Sequence, residues 1–161
     1  MSKLINHPAT NILITGGAGF IGSNFIEYLL NQNNPPNIVN FDALTYAASL
    51  DNLKNLPNTE KYFFVHGDIN DRKLIDQTLR QFNINMIIHF AAESHVDRSI
   101  TGPATFIQTN LMGTFNLLEA VRLYWLEEKQ LTKEQCHFHH ISTDEVYGTL
   151  GMNDPAFCET T

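Results

Sequence analysis

Apolar and polar positions along the chain fall into two alternating rhythms. Short apolar-rich runs occupy 11–15, 37–41, 62–66, 86–90 and 137–142. They are too brief for stable helices and rich in strand formers, so each predicts a β-strand. Between them, apolar residues recur at helical spacing over 20–31, 71–82 and from Pro103 to about Lys129, which predicts three helices. Asn33-Asn34-Pro35-Pro36-Asn37 punctuates the end of the first helix, and Leu56-Pro57-Asn58 marks a second break. On the long helix, Ile107, Leu111, Leu118, Val121 and Trp125 form one predicted stripe, and Leu117, Ala120 and Tyr124 a neighbouring one. Its apolar face is therefore unusually wide. One stripe is enough to cover a sheet, and the other is left to meet a partner's helix or further chain. Strand–helix–strand units repeated without long linkers predict an α/β fold, a doubly wound parallel sheet with right-handed crossovers. Ligands on such sheets sit beyond the carboxyl ends of the strands, so the residues just after each strand carry the interest.

Composition narrows the function. With 161 residues the chain is the size of one domain. Its net charge of −7 argues against a nucleic-acid partner, because such binders carry a basic footprint. No apolar run approaches the roughly 18 residues of a membrane span, and the polar stretch Met1–Thr10 lacks a signal-peptide core. Cys136 and Cys158 have no metal-type spacing and fit free thiols in a reducing cytoplasm.

The first strand runs into Thr15-Gly16-Gly17-Ala18-Gly19-Phe20-Ile21-Gly22. Gly16 permits a tight turn, Gly19 lets the backbone approach a pyrophosphate, and Gly22 lets the helix pack closely. The helix N-terminus then offers unpaired N–H groups to the phosphates. Asp42 stands 20 residues after Gly22, the right distance to accept hydrogen bonds from ribose hydroxyls. An acid there, with no adjacent Arg, favours NAD over its 2′-phosphorylated counterpart. After the third strand, Asp68 and Ile69 are placed for an adenine amino group and ring face, although Asp68 suits helix capping before Asp71 equally well.

Two further strand ends are more particular. Ala91-Ala92-Glu93-Ser94-His95-Val96-Asp97-Arg98-Ser99 follows the fourth, and Ser142-Thr143-Asp144-Glu145-Val146-Tyr147-Gly148 the fifth. With the glycine segment, they resemble the dTDP-glucose 4,6-dehydratases of the extended short-chain dehydrogenase/reductase superfamily. The resemblance runs from Asn11 onward. It implies a nucleotide-sugar lyase with tightly held NAD, dTDP-glucose as substrate and a homodimeric assembly. It also implies that Asp144 is the acid and Glu145 the base of water elimination, and that Thr143 holds the sugar C4 oxygen. Adjacent carboxyls in different environments can divide those roles between them. By the same resemblance Phe20 and Ile21 follow the pyrophosphate loop. Asp42, Ala43, Leu44, Thr45, Asp68 and Ile69 hold the adenosine end. Phe90, Ala91, Ala92, Glu93 and Ser94 line the groove, Ser94 also lies near the sugar, and Thr109 touches the cofactor. Family members often carry Lys where this chain has Ala43, so no side-chain contact is expected there.

Other tempting residues have duller readings. Strand alternation puts His137 and His139 on one face and His140 on the other, so no metal site is expected. His89 reads as a satisfied core histidine. The superfamily's Tyr-x-x-x-Lys pair, expected on the helix after the Thr-Asp-Glu turn, has no match among the Tyr residues of this sequence. That implies the N-terminal portion of a longer enzyme, with its sugar-nucleotide domain beyond Thr161. The alternatives are a related sugar-nucleotide dehydratase or 4-epimerase, against which the acid–base pair argues, and a binding module without turnover.

Overall fold

A computed structural model describes residues 11–161, so the polar N-terminal stretch 1–10 lies outside the described residues. The strands are β1 (Asn11–Thr15), β2 (Asn37–Asp42), β3 (Tyr62–His66), β4 (Met86–His89) and β5 (His137–His140). They form one sheet in the order β3-β2-β1-β4-β5, and every pairing is parallel. Strand ends differ from expectation by a residue or two: Ile141 N–H still bonds to His89 C=O before the chain leaves the edge.

Alternation along the strands splits the core into two layers. Ile12, Ile14, Ile38, Met86 and Ile88 face helix α1 (Phe20–Leu30) through its Ile26 and Leu30. Leu13, Val39, Phe41 and Ile87 face α2 (Arg72–Gln81) and the long helix at 103–128. Asp71, not Asp68, caps α2, accepting a hydrogen bond from Leu74 N–H at 3.0 Å. At its other end α2 closes with Asn83 in the left-handed region (φ 49°), and Ile84 N–H reaches back to Leu79 C=O. A short helix α3 (Val96–Thr101), absent from the sequence expectation, interrupts the segment after β4.

The long helix corrects the expected stripes. Val121 and Trp125 are buried with Leu117, Ala120 and Tyr124, whereas Ile107, Leu111 and Leu118 are exposed together with Phe115. The cause is winding: Ile107–Gly113 and Arg122–Glu128 widen into π-helical turns. A wider turn rotates each following side chain away from a 3.6-residue register. Trp125 Nε1–H donates to Ile84 C=O at 2.7 Å, and Arg80 pairs with Glu128, so the far end of the helix is tied to the turn before β4 and to α2.

Candidate cofactor and active site

Because all strands are parallel, their carboxyl ends share one edge, and the predicted segments emerge there together. The glycine loop is packed to its limit. Gly16 has φ +71°, and a Cβ on it would lie 2.7 Å from Ala91 N. A Cβ on Gly22 would strike Gly16 C=O and stand 2.8 Å from Gly17 Cα, so this glycine lets α1 lie against the loop itself. At Gly19 the nearest atom to a Cβ would be Gly16 O at 3.4 Å. That glycine opens onto space at the start of α1, where no side chain caps the helix. The opening and the uncapped N-terminus fit a dinucleotide's pyrophosphate. Phe20 and Ile21 stand there exposed.

Asp42 is buried at the end of β2 and already employed. Its Oδ2 accepts from Ala18 N–H and its Oδ1 from Leu44 N–H, both at 2.8 Å. A carboxylate has roughly four lone-pair sites, so capacity for two ribose hydroxyls remains. Leu44 sits at φ +52°, a left-handed conformation that Asp42 helps to hold and that composition gave no means to foresee. The backbone turns at Ala43 and Leu44, while Thr45 is exposed and its carbonyl accepts from Ala48 N–H.

After β3, Asp68 Oδ1 accepts from Asn70 N–H and Nδ2–H, leaving Oδ2 to face solvent or a ligand. Ile69 is buried against the long helix, where a Cβ on Gly113 would collide with its Cδ1. Ile69 is therefore in part a packing residue. Thr109 is half-buried one turn before Gly113.

The end of β4 rests on a buried polar relay. Ala91 N–H donates to Thr15 Oγ1 at 3.3 Å, and the Thr15 hydroxyl lies 2.6 Å from His89 Nδ1. His89 Nε2 lies 3.0 Å from Thr114 Oγ1. Burial, with help from His140, lowers the His89 pKa to about 4, so the ring is neutral. Phe90 and Ala91 are half-buried and Ala92 and Ser94 exposed. The Glu93 backbone is pinned from both sides by Asn110, whose Oδ1 accepts from Glu93 N–H and whose Nδ2–H donates to Glu93 C=O. Asn110 escaped the sequence reading, and only its place one residue after Thr109 hinted at it.

After β5, Thr143 caps a short turn at Asp144–Tyr147, its Oγ1 accepting from Glu145 N–H and donating to Asp144 Oδ1, both at 3.3 Å. Asp144 and Glu145 are both exposed, next to the β4 loop by strand order. Among the described residues no group of three or more His, Cys, Asp or Glu side chains is arranged to hold a metal, and no helix is long and apolar enough to cross a membrane.

A family profile described as GDP-mannose 4,6 dehydratase matches residues 13–161. The chain belongs to this family. Within it, a dTDP-glucose 4,6-dehydratase of Neisseria gonorrhoeae is 48% identical over 151 residues, which is 94% of this chain and 43% of the relative. The dTDP-glucose 4,6-dehydratase of Bacillus anthracis, solved in complex with NAD, superposes with a TM-score of 0.77 at 40% identity, covering 95% of this chain and 44% of that one. DesIV, the dTDP-glucose 4,6-dehydratase of Streptomyces venezuelae, solved with NAD and TYD bound, gives 0.76 at 41% identity, covering 89% and 42%. The chain thus spans less than half the length of these family members.

Proposed function

We propose that these 161 residues are the cofactor-binding N-terminal part of a dTDP-glucose 4,6-dehydratase. The reaction is conversion of dTDP-glucose to dTDP-4-keto-6-deoxyglucose with NAD. The observation that carries this reading is the meeting, on one sheet edge, of the glycine loop, Asp42 and the Thr143-Asp144-Glu145 turn. The relatives' names and their NAD complexes support it. NAD, when bound, would supply a reversible hydride acceptor for the oxidation at sugar C4 and the reduction at C6. Everything else falls to protein residues. Gly16, Gly19 and Gly22 admit the pyrophosphate; Asp42 accepts the ribose hydroxyls; Asp68 and Ile69 receive the adenine; Phe90 to Ser94 and Thr109 line the groove. Thr143 donates its hydroxyl proton in a hydrogen bond to the C4 oxygen, turning from Asp144. Glu145 removes the C5 proton, acidified by the neighbouring ketone, Asp144 protonates the C6 hydroxyl as water departs, and Glu145 returns its proton to C5 as C6 is reduced.

The proton on the C4 hydroxyl needs a base that this sequence does not contain in Tyr-x-x-x-Lys form. We assign that pair and the domain that reads the nucleotide to the remainder of a longer parent. A cytoplasmic setting suits Cys136 and Cys158, both unpaired with each other as free cysteines. The exposed apolar stripe Ile107, Leu111, Phe115 and Leu118 suits a homodimer, or cover by the rest of the parent. The deciding experiment is Glu145→Gln in the parent enzyme. Reduced cofactor should build up on addition of dTDP-glucose while no 4-keto-6-deoxy product forms. Dehydration at the wild-type rate removes Glu145 from the role of base.

A further inference from the structure

The loops after β2 and β4 meet through side chains that the proposed chemistry leaves almost unused. Tyr46, about half-exposed, presents its ring face to Arg98, whose Cζ lies 3.8 Å from the ring centroid. Its hydroxyl donates to Glu93 Oε2 at 3.3 Å. The phenol is thus gripped by a cation on its face and a carboxylate at its tip. Both ends of this contact are anchored. Asn110 pins the Glu93 backbone to the long helix. On the other side, Ser49 N–H and Asn52 Nδ2–H both donate to Ala18 C=O at 3.0 Å, tying the Tyr46 loop to the glycine loop.

Topology gives the contact its meaning. β1 lies between β2 and β4 in the sheet, so any link from the β2 loop to the β4 loop crosses the segment that follows β1. That segment is Gly16–Gly19, with its opening at Gly19 and the uncapped start of α1. A ligand seated on the glycine loop would lie under the link. None of the three side chains is needed by the sheet or either core layer, since all are outside them. We propose that Tyr46, Glu93 and Arg98 form a clasp that closes over the bound dinucleotide and sets its rate of release.

This rests on the reading of NAD as cofactor, and the test separates the two. NAD release from the parent enzyme is followed by stopped-flow displacement of a fluorescent etheno-NAD, alongside the melting temperature of each protein without cofactor. One exposed cation–π contact and one charge-assisted hydrogen bond together imply about tenfold faster release in Tyr46→Ala, which loses both, and about threefold in Arg98→Ala, which loses the cation–π contact alone. Tyr46→Phe keeps the ring under the guanidinium, so its release should quicken by only about threefold. The double variant should be no faster than the faster single one, because either change opens the same clasp. Melting temperatures without cofactor should fall by no more than about 2–4 °C, as the loss of exposed contacts of this size allows, whereas a merely structural role would leave the release rate at the wild-type value. Release rates in both alanine variants within about twofold of wild type, or single effects that multiply in the double variant, overturn the clasp. A wild-type enzyme that binds no NAD overturns the cofactor reading and the clasp with it.

Discussion

Asp42 serves two backbone amides before it meets any ligand, and this gives its substitution a double signature. Asp42→Ala leaves Ala18 N–H and Leu44 N–H without their acceptor. It should cost about 1–3 kcal/mol of stability as well as affinity for NAD. The wild-type parent should prefer NAD to NADP, because a carboxylate there repels a 2′-phosphate; titrating both cofactors against both proteins checks this. Gly22→Ala should be worse for the loop than its single methyl suggests, since that methyl meets the Gly16 carbonyl. A loss of about 1–3 kcal/mol in denaturant unfolding, with weakened NAD binding, is expected. His89 makes the protein acid-sensitive in a definite window. Its folded pKa of about 4 lies below the ordinary 6.5, mainly through burial and secondly through His140. Between those values the unfolded chain binds more protons, so stability is fully present above the upper value and falls as pH drops toward the lower. The loss amounts to roughly 3 kcal/mol. His89→Gln should flatten that slope relative to wild type in denaturant titrations across the window. At this scale the sequence was informative where a residue's duty is backbone geometry, as at Gly16 and Gly22. It was silent where duty depends on a partner far along the chain: Asn110 under Glu93, or Thr15 and Thr114 on either side of His89.

Among the elements, the long helix shows best how a pattern can be legible in kind and misread in phase. Its existence and its wide apolar face were evident from spacing alone, yet the assignment of residues to stripes assumed a uniform turn. Two π-wound stretches break that assumption, and Val121 and Trp125 rotate inward to join Leu117 and Tyr124. No local residue preference announces a π turn, because it is the buried end that demands it: Trp125 must reach the Ile84 carbonyl. Trp125→Ala should therefore be among the most damaging single changes in the helix, at about 3–5 kcal/mol in denaturant unfolding. Trp125→Phe, which keeps much of the ring but abandons that carbonyl, should cost less. The strands gave themselves away more readily, since β1, β2 and β4 are mostly apolar runs buried on both faces, as parallel strands require, with Asn40 the polar interruption in β2. α3 was hidden because its six residues are too few to display a period.

For the molecule as a whole, the expectation is binding without turnover. Residues 1–161 alone, lacking the superfamily's activated tyrosine, forgo a general-base contribution of roughly 10²- to 10⁴-fold. They should bind NAD weakly, self-associate through the stripe at Ile107, Leu111, Phe115 and Leu118, and convert no dTDP-glucose. Sedimentation and a product assay on the purified chain check all three, and steady product formation would mean that another residue replaces the tyrosine. The strand order carries one more consequence, for the chain as it is being made. Among the described strands β1 is the first to leave the ribosome, yet it sits at the centre of the sheet and must be flanked on both sides. β2 arrives soon after, but the partner on its other side is β4, and Thr15 waits 74 residues for His89. Until then the nascent polypeptide carries an open strand edge flanked by Leu13 and Ile14, both wholly buried once folding is complete. Such delayed closure is slow and exposed to mispairing. A ribosome that stalls before β4 has emerged should present chaperones with the β1 edge uncovered, and one that stalls after β4 has emerged with that edge paired.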